Sequence, residues 1–305
     1  MAYDIQVSGL RKSFGAVTAL DRLGLTVQPG EMLGLIGPDG AGKTTTLRIL
    51  CGLLFADAGD VRVGGLDPRR APREVRRFLG YMPQRFSLYP DLTVAENLRF
   101  FADLFQVPKG ERERRMTELL HFSRLAPFTS RLAARLSGGM KQKLALSCTL
   151  IHTPRILMLD EPTTGVDPVS RREFWEILGT LNQEGVTILV TTPYMDEAAR
   201  CDRVAFIHKG RLLTVERPEA IPGLYTKKLF EVVTPDNLVA ARLLRASGAF
   251  TRVQVFGDRI HLSASGDDET LQHQVTALLE AAGIRADSVA PIAAGIEDVF
   301  VELLK

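Results

Sequence analysis

Three cysteines in 305 residues, Cys51, Cys148 and Cys201, lie far apart in apolar surroundings, which excludes a disulfide framework and a cysteine metal cluster. No run approaches the roughly 18 consecutive apolar residues of a membrane-spanning helix. The amino terminus, Met1-Ala2-Tyr3-Asp4, has no basic stretch followed by an apolar one, so no secretory signal is expected and the thiols are expected to be cytosolic and reduced. Charge of one sign is lacking too. With 38 Lys and Arg against 36 Asp and Glu, the formal charge is +2, too small to recommend a nucleic-acid polyanion as partner. The remaining composition, 45 % hydrophobic and 24 % charged, suits a soluble chain with one large or two smaller cores.

One stretch organises what is present. Gly37-Pro38-Asp39-Gly40-Ala41-Gly42-Lys43-Thr44-Thr45 satisfies G-x-x-x-x-G-K-[ST] between a buried-looking strand, residues 32–36, and an apolar helical pattern through Leu47, Ile49 and Leu50. Glycines let a backbone wrap closely around an anion, successive N–H groups point inward, and the following helix adds the positive end of its dipole. In such a loop Lys43 pairs with the outer phosphates and the Thr44 hydroxyl ligates Mg²⁺. The bland alternative, a glycine-rich turn with a solvated lysine, does not account for the strand and helix standing where the motif needs them.

Apolar and polar residues alternate at 5–10 and 23–27, an antiparallel edge leading into the core strand. Phe14, between them, either stacks on a nucleotide base or merely packs. Residues 59–63 read as a further strand. Arg69, Arg70, Arg73, Arg76 and Arg77 then form a basic run on a short helix, without the interleaved aromatics of a nucleic-acid surface. Strand 78–82 ends in Pro83-Gln84, followed by Phe86, Leu88, Tyr89 and Pro90. From 93 to 135 the periodicity is helical, with Asp91 or Thr93 as cap. Leu136-Ser137-Gly138-Gly139-Met140 then enters another helix, where Ser137 is an N-cap and the exposed backbone donors can also bind phosphate. Finally, Ile156-Leu157-Met158-Leu159 is a buried strand ending in Asp160-Glu161. Beside a phosphate loop, that pair suits a magnesium-holding aspartate and an adjacent water-activating base.

The phosphate loop, Gln84, Leu136-Ser137-Gly138-Gly139-Met140, Asp160-Glu161 and Thr164-Gly165-Val166-Asp167 stand in the order and spacing of ABC-transporter ATPase subunits. The chain resembles that family over about residues 3–225. The resemblance implies ATP and Mg²⁺ as cofactors, with Phe14 as the adenine-stacking aromatic and Gly37, Pro38, Asp39, Gly40, Ala41, Gly42, Lys43, Thr44 and Thr45 as the phosphate cradle. It implies Thr44, Gln84 and Asp160 as metal ligands, directly or through water, and Glu161 as general base, with Gln84 and Lys43 beside it in the catalytic set. Ser137, Gly138 and Gly139 resemble the signature that closes over the γ-phosphate of a second ATPase subunit, identical or different, and Asp167 the residue linking the two sites. Two departures stand out. Pro193 occupies the place of the family's switch histidine, and proline has no donor and cannot titrate, so slowed hydrolysis, or a catalytically weak regulatory subunit paired with a more active one, is the alternative reading. Asp39 stands where asparagine is usual, an unfavourable charge near phosphate unless turned away.

A proline-containing connector, residues 216–223, leads to a domain boundary expected near 226. Beyond it the pattern gives strand 229–233, helix 237–246, a hairpin over 252–262 turning at Gly257-Asp258, helix 270–282, strand 286–290 and a last helix, 296–304. The expected fold is therefore α/β: a phosphate-loop ABC ATPase core over 1–226, with an antiparallel β subdomain and a helical insertion at about 86–150, plus a small α+β ferredoxin-like accessory domain over 227–305. Met140-Lys141-Gln142 and Gly295-Ile296-Glu297-Asp298-Val299-Phe300 resemble the drug and antibiotic exporter branch. The resemblance implies a cytoplasmic ATP-driven subunit at the inner face of the membrane, acting on a separate integral membrane permease through the aromatic-rich surface after Gln84, with no nucleic acid involved.

Overall fold

The structure is a computed structural model that describes residues 3–85, 88–264 and 267–304. The chain divides into two compact units, Met1–Pro218 and Glu219–Lys305.

Two sheets build the first unit. Strands β1 (Ile5–Phe14), β2 (Val17–Val27) and β4 (Ala58–Val63) form an antiparallel sheet in the order β2-β1-β4. β1 and β2 run further than the alternation at 5–10 and 23–27 foretells. Register shifts between Val7 and Lys12 break the pattern, so pairing continues to Phe14↔Val17 and sets Phe14 at the tip of the hairpin. The second sheet has the order β5-β6-β7-β3-β8-β9, built from β3 (Met32–Ile36), β5 (Leu79–Met82), β6 (Ile156–Asp160), β7 (Thr187–Thr192), β8 (Arg203–His208) and β9 (Arg211–Glu216). All neighbours are parallel except β8 and β9. Every residue of β3, β6 and β7 is buried, which is why β3 and β6 read as nearly continuous apolar runs rather than alternations. The carboxyl ends of β3, β5, β6 and β7 therefore deliver Gly37, Gln84, Asp160-Glu161 and Pro193 to one edge of the sheet.

Helix α1 (Lys43–Leu50) follows β3 directly, and α2 (Pro72–Phe78) carries the arginine run. Helices α3 (Val94–Leu104), α4 (Lys109–Phe122) and α5 (Gly138–Leu150) make the helical insertion. Thr93 caps α3 in a reciprocal capping box with Glu96. Val94, Leu98, Ala102, Met116, Leu120, Leu144 and Cys148 meet in a separate apolar cluster, which holds the insertion to its own core. Helix α6 (Pro168–Gln183) connects β6 to β7.

The second unit contains β10 (Lys228–Val233), α7 (Asn237–Ala246), β11 (Arg252–Phe256), β12 (Arg259–Ala264), α8 (Asp268–Ala281), β13 (Ser288–Ile292) and α9 (Ile296–Leu303). Its sheet is antiparallel in the order β11-β12-β10-β13. Phe230, Val232, Ile260 and Leu262 turn one sheet face onto Ala240, Leu244, Leu271, Val275 and Leu279 of the two helices. On β12, His261 meets Asp298 of α9, Nδ1 to Oδ1 2.8 Å. The units part at Pro218 rather than near 226, because the turn Ile221–Leu224, with Ile221 fully buried, packs against α9.

Candidate nucleotide site

Backbone packing shapes the loop between β3 and α1. A Cβ at Gly37 would overlap the Ile207 carbonyl oxygen, and Gly42, at φ 107°, would put one 2.7 Å from the Ala19 carbonyl oxygen. Only glycine fits these two positions. Gly42 caps α1 without a side-chain hydrogen bond, so the first-turn amides are not claimed by a capping side chain.

Lys43 is buried, and its Nζ donates to the carbonyl oxygens of Gly37 (2.8 Å) and Pro38 (3.1 Å). The same nitrogen lies 3.0 Å from Glu161 Oε1. Glu161 is itself buried and holds a left-handed backbone at φ 48°, a conformation that a non-glycine residue keeps only where its surroundings impose it. Those surroundings are visible: its N–H is directed at the Thr191 carbonyl (3.1 Å) and Oγ1 (3.0 Å), and its Oε2 accepts from Gln84 Nε2 (2.8 Å).

Asp160, fully buried at the end of β6, accepts on Oδ1 from Thr44 Oγ1 (3.1 Å) and Thr191 Oγ1 (2.9 Å). Its Oδ2 is buried without a hydrogen-bond partner. Burial pushes this carboxyl above the ordinary aspartate range, against the pull of the two hydroxyls. A buried carboxylate oxygen without a protein partner, beside a threonine hydroxyl, is the hard-oxygen donor set that suits Mg²⁺. Among the described residues no group of three or more His, Cys, Asp or Glu could hold a metal. A cation there would therefore need phosphate oxygens as well, in keeping with how Mg²⁺ is usually bound. The Cys51 thiol nearby is raised by burial and sits 3.5 Å from Met158 Sδ, a packing role.

Phe14, residues 39–45, Gln84 and Glu161 line one cavity of about 420 Å³. Phe14 is half-exposed at its mouth, with Lys12 Nζ 5.4 Å from the ring centroid. Asp39 is exposed on the rim, which removes the burial cost that its extra charge would otherwise carry. Ser137, Gly138, Gly139 and Pro193 are not part of this lining. Ser137 instead N-caps α5, its Oγ accepting from Met140 N–H. Gly139 lies against the first turn of α6, where a Cβ would overlap the Ser170 side chain. Asp167 caps α6 by accepting from Ser170 N–H (2.9 Å). Pro193 is flanked by Thr192, whose hydroxyl accepts from Tyr194 N–H (3.0 Å). Of the aromatic segment after Gln84, Phe86 lies outside the described residues, whereas Tyr89, Phe100, Leu104 and Phe105 are exposed together. Tyr89 and Phe100 meet edge-on at 4.5 Å, and Phe105 stacks on His152 at 4.0 Å.

Motif spacing does not single out Thr191, which holds both acids. The one trace is a polar pair, Thr191-Thr192, that follows the apolar run Ile188-Leu189-Val190 of its strand.

Comparison with known proteins fits this arrangement. Residues 20–164 match the ABC transporter family. The chain is 40 % identical to YbhF of Escherichia coli K12, an ABC transporter ATP-binding protein named for multidrug transport, over 98 % of this chain and 52 % of that protein. It thus spans about half the length of that relative. To the Nod factor export ATP-binding protein I of Ralstonia nicotianae it is 38 % identical, over 98 % of this chain and 93 % of the other. Among solved structures, the dimeric bacterial ABC transporter cassette MJ0796 superposes with a TM-score of 0.63 at 28 % identity, over 70 % of this chain and 98 % of its own. The chain belongs to the ABC transporter family, among its ATP-binding proteins.

Proposed function

We propose that this chain binds and hydrolyses ATP to drive export through a separate integral membrane permease, at the cytoplasmic face of the membrane. The observation that carries the reading is the convergence of Lys43, Thr44, Glu161 and Gln84 on one cavity, with Asp160 hydrogen-bonded to Thr44 behind that lining. The names of relatives that serve multidrug transport and Nod factor export support the direction of transport.

Each residue has a physical role in this reading. The loop amides and the α1 N-terminus receive phosphate charge, and Lys43 adds a full positive charge. Phe14 offers a face for the adenine. Thr44 and Asp160, with Gln84, would hold Mg²⁺, whose charge would offset that of the phosphate oxygens. Glu161 polarises the attacking water, oriented by the amide of Gln84. Ser137, Gly138 and Gly139, which stand apart from the cavity of their own chain, serve the γ-phosphate bound by a second ATPase chain. The dimeric state of the MJ0796 cassette supports that arrangement. The assembled Lys43, Glu161 and Gln84 cluster favours an active ATPase over a purely regulatory nucleotide binder.

Coupling runs through the exposed aromatics Tyr89, Phe100 and Phe105, which a permease segment would cover. Their apolar area suits an interface. Isolation of the chain with an integral membrane protein, and stimulation of its ATP hydrolysis in that complex, tests the reading. A chain that hydrolyses ATP but is found with no membrane protein would contradict the transport role.

A further inference from the structure

Glu197 is almost completely buried, at 2 % exposure, and a buried carboxylate is tolerated only where partners meet it. It stands on the short 3-10 turn Met195–Arg200, just beyond Pro193. Oε1 accepts from Thr163 Oγ1 at 2.7 Å, and Oε2 accepts from Thr192 Oγ1 at 2.5 Å. Arg171 Nε of α6 lies 3.8 Å from Oε1, and the same guanidinium donates to Asp196 (2.8 Å) and covers the Tyr194 ring (5.1 Å).

These partners belong to three elements. Thr163 is two residues past Glu161, on the far side of its left-handed backbone, while Thr191 holds the near side through the Glu161 N–H. Thr192 immediately precedes Pro193. Arg171 follows Ser170, the residue against which Gly139 packs. Glu197 does not line the nucleotide cavity. We propose that Glu197 is a positioning residue for ATP hydrolysis: its carboxylate anchors the downstream end of the Glu161 loop and the Pro193 segment to α6, and thereby holds Glu161 in its working orientation. With proline at 193, no side-chain donor at that position can fix the segment, and the Thr192 hydroxyl bridging Glu197 and Tyr194 N–H does so instead. The proposal rests on the reading of Glu161 as the water-polarising carboxylate.

The test uses the full-length chain as wild type, Glu197→Gln, Thr163→Val and Thr163→Ser, with Glu161→Gln as the blank. The measured quantities are kcat, KM for Mg²⁺-ATP and nucleotide bound per chain. Glu197→Gln and Thr163→Val are expected to lower kcat by on the order of tenfold at unchanged KM and unchanged nucleotide stoichiometry, while Thr163→Ser, which keeps the hydroxyl, stays within about twofold of wild type. A purely structural role would lower stoichiometry and rate together and leave the rate per bound nucleotide unchanged. That result, or a kcat for Glu197→Gln within about twofold of wild type, overturns the proposal. If Glu161→Gln kept wild-type turnover, the reading of Glu161 would fall and take this one with it; an inactive Glu161→Gln beside a fully active Glu197→Gln sinks the positioning role alone. A second readout needs no turnover. Trp175, the single tryptophan, lies buried on α6 one turn beyond Arg171. Mg²⁺-ATP is expected to shift its emission in wild type and to shift it by less than about half as much in Glu197→Gln; no shift in wild type, or equal shifts in the two, counts against the link to α6.

Discussion

Lys43 and Glu161 form a buried ion pair, Nζ to Oε1 3.0 Å, each side chain less than a tenth exposed. The lysine that suits the phosphates and the carboxylate that suits the attacking water are thus each other's partner. On the proposed reading, phosphate oxygens entering the loop would compete with Glu161 for the ammonium, and the exchange would free the carboxylate for water. Glu161→Gln removes the competing charge while keeping an amide beside Gln84. It is expected to tighten ATP binding by roughly three- to tenfold, measured by equilibrium titration of the purified chain. Weaker binding in the variant would contradict the exchange.

Asp160 shows the opposite situation, a buried carboxyl held above its usual range chiefly by desolvation. A folded-state pKa above the unfolded value means that the folded chain without metal binds the proton more tightly. Its stability contribution is therefore fully present below the unfolded-state pKa and is lost as pH rises through the raised folded-state pKa. Asp160→Asn keeps an oxygen for Thr44 and Thr191 without the buried charge. At neutral pH it is expected to raise the Tm of the metal-free chain by on the order of a few degrees, an advantage that shrinks on acidification through that window, and to abolish the Mg²⁺ dependence of ATP binding. A variant that melts lower at neutral pH refutes this.

Phe14 is half-exposed at the hairpin tip and contributes little to the core. Phe14→Ala is expected to leave Tm unchanged and weaken ATP binding by several-fold, matching about 1 kcal/mol of lost stacking. Unchanged affinity would assign the ring to packing.

Pro193 leaves the end of β7 without a titratable side chain. Pro193→His is expected to raise kcat by up to about tenfold with ATP affinity unchanged. An unaltered kcat would show that the segment works through its backbone and Glu197 alone.

How much of this was legible in the sequence follows from where each contact is encoded. The phosphate loop, Ser137 as a cap and Asp160-Glu161 at a strand end are local, so their spacing along the chain suffices. Thr191 could not be read in this way. Its hydroxyl reaches Asp160 because β6 and β7 pair in parallel register, Asp160 opposite Thr191, a relationship between residues far apart in sequence. Glu197 was hidden for the same reason, since its partners come from three elements. The hairpin outruns its alternating pattern because register shifts near Gly9 interrupt the alternation while pairing continues to Phe14. The direction of Lys43 was also beyond the motif, which names its charge and not the carboxylate it meets.

Steady-state Mg²⁺-ATP hydrolysis by the purified chain, set against Glu161→Gln at equal nucleotide occupancy, tests whether Glu161 carries the hydrolysis. Phosphate release is expected from the wild type, and its loss, by on the order of a hundredfold or more, in the variant. Equal rates in the two proteins, both with ATP bound, would contradict it.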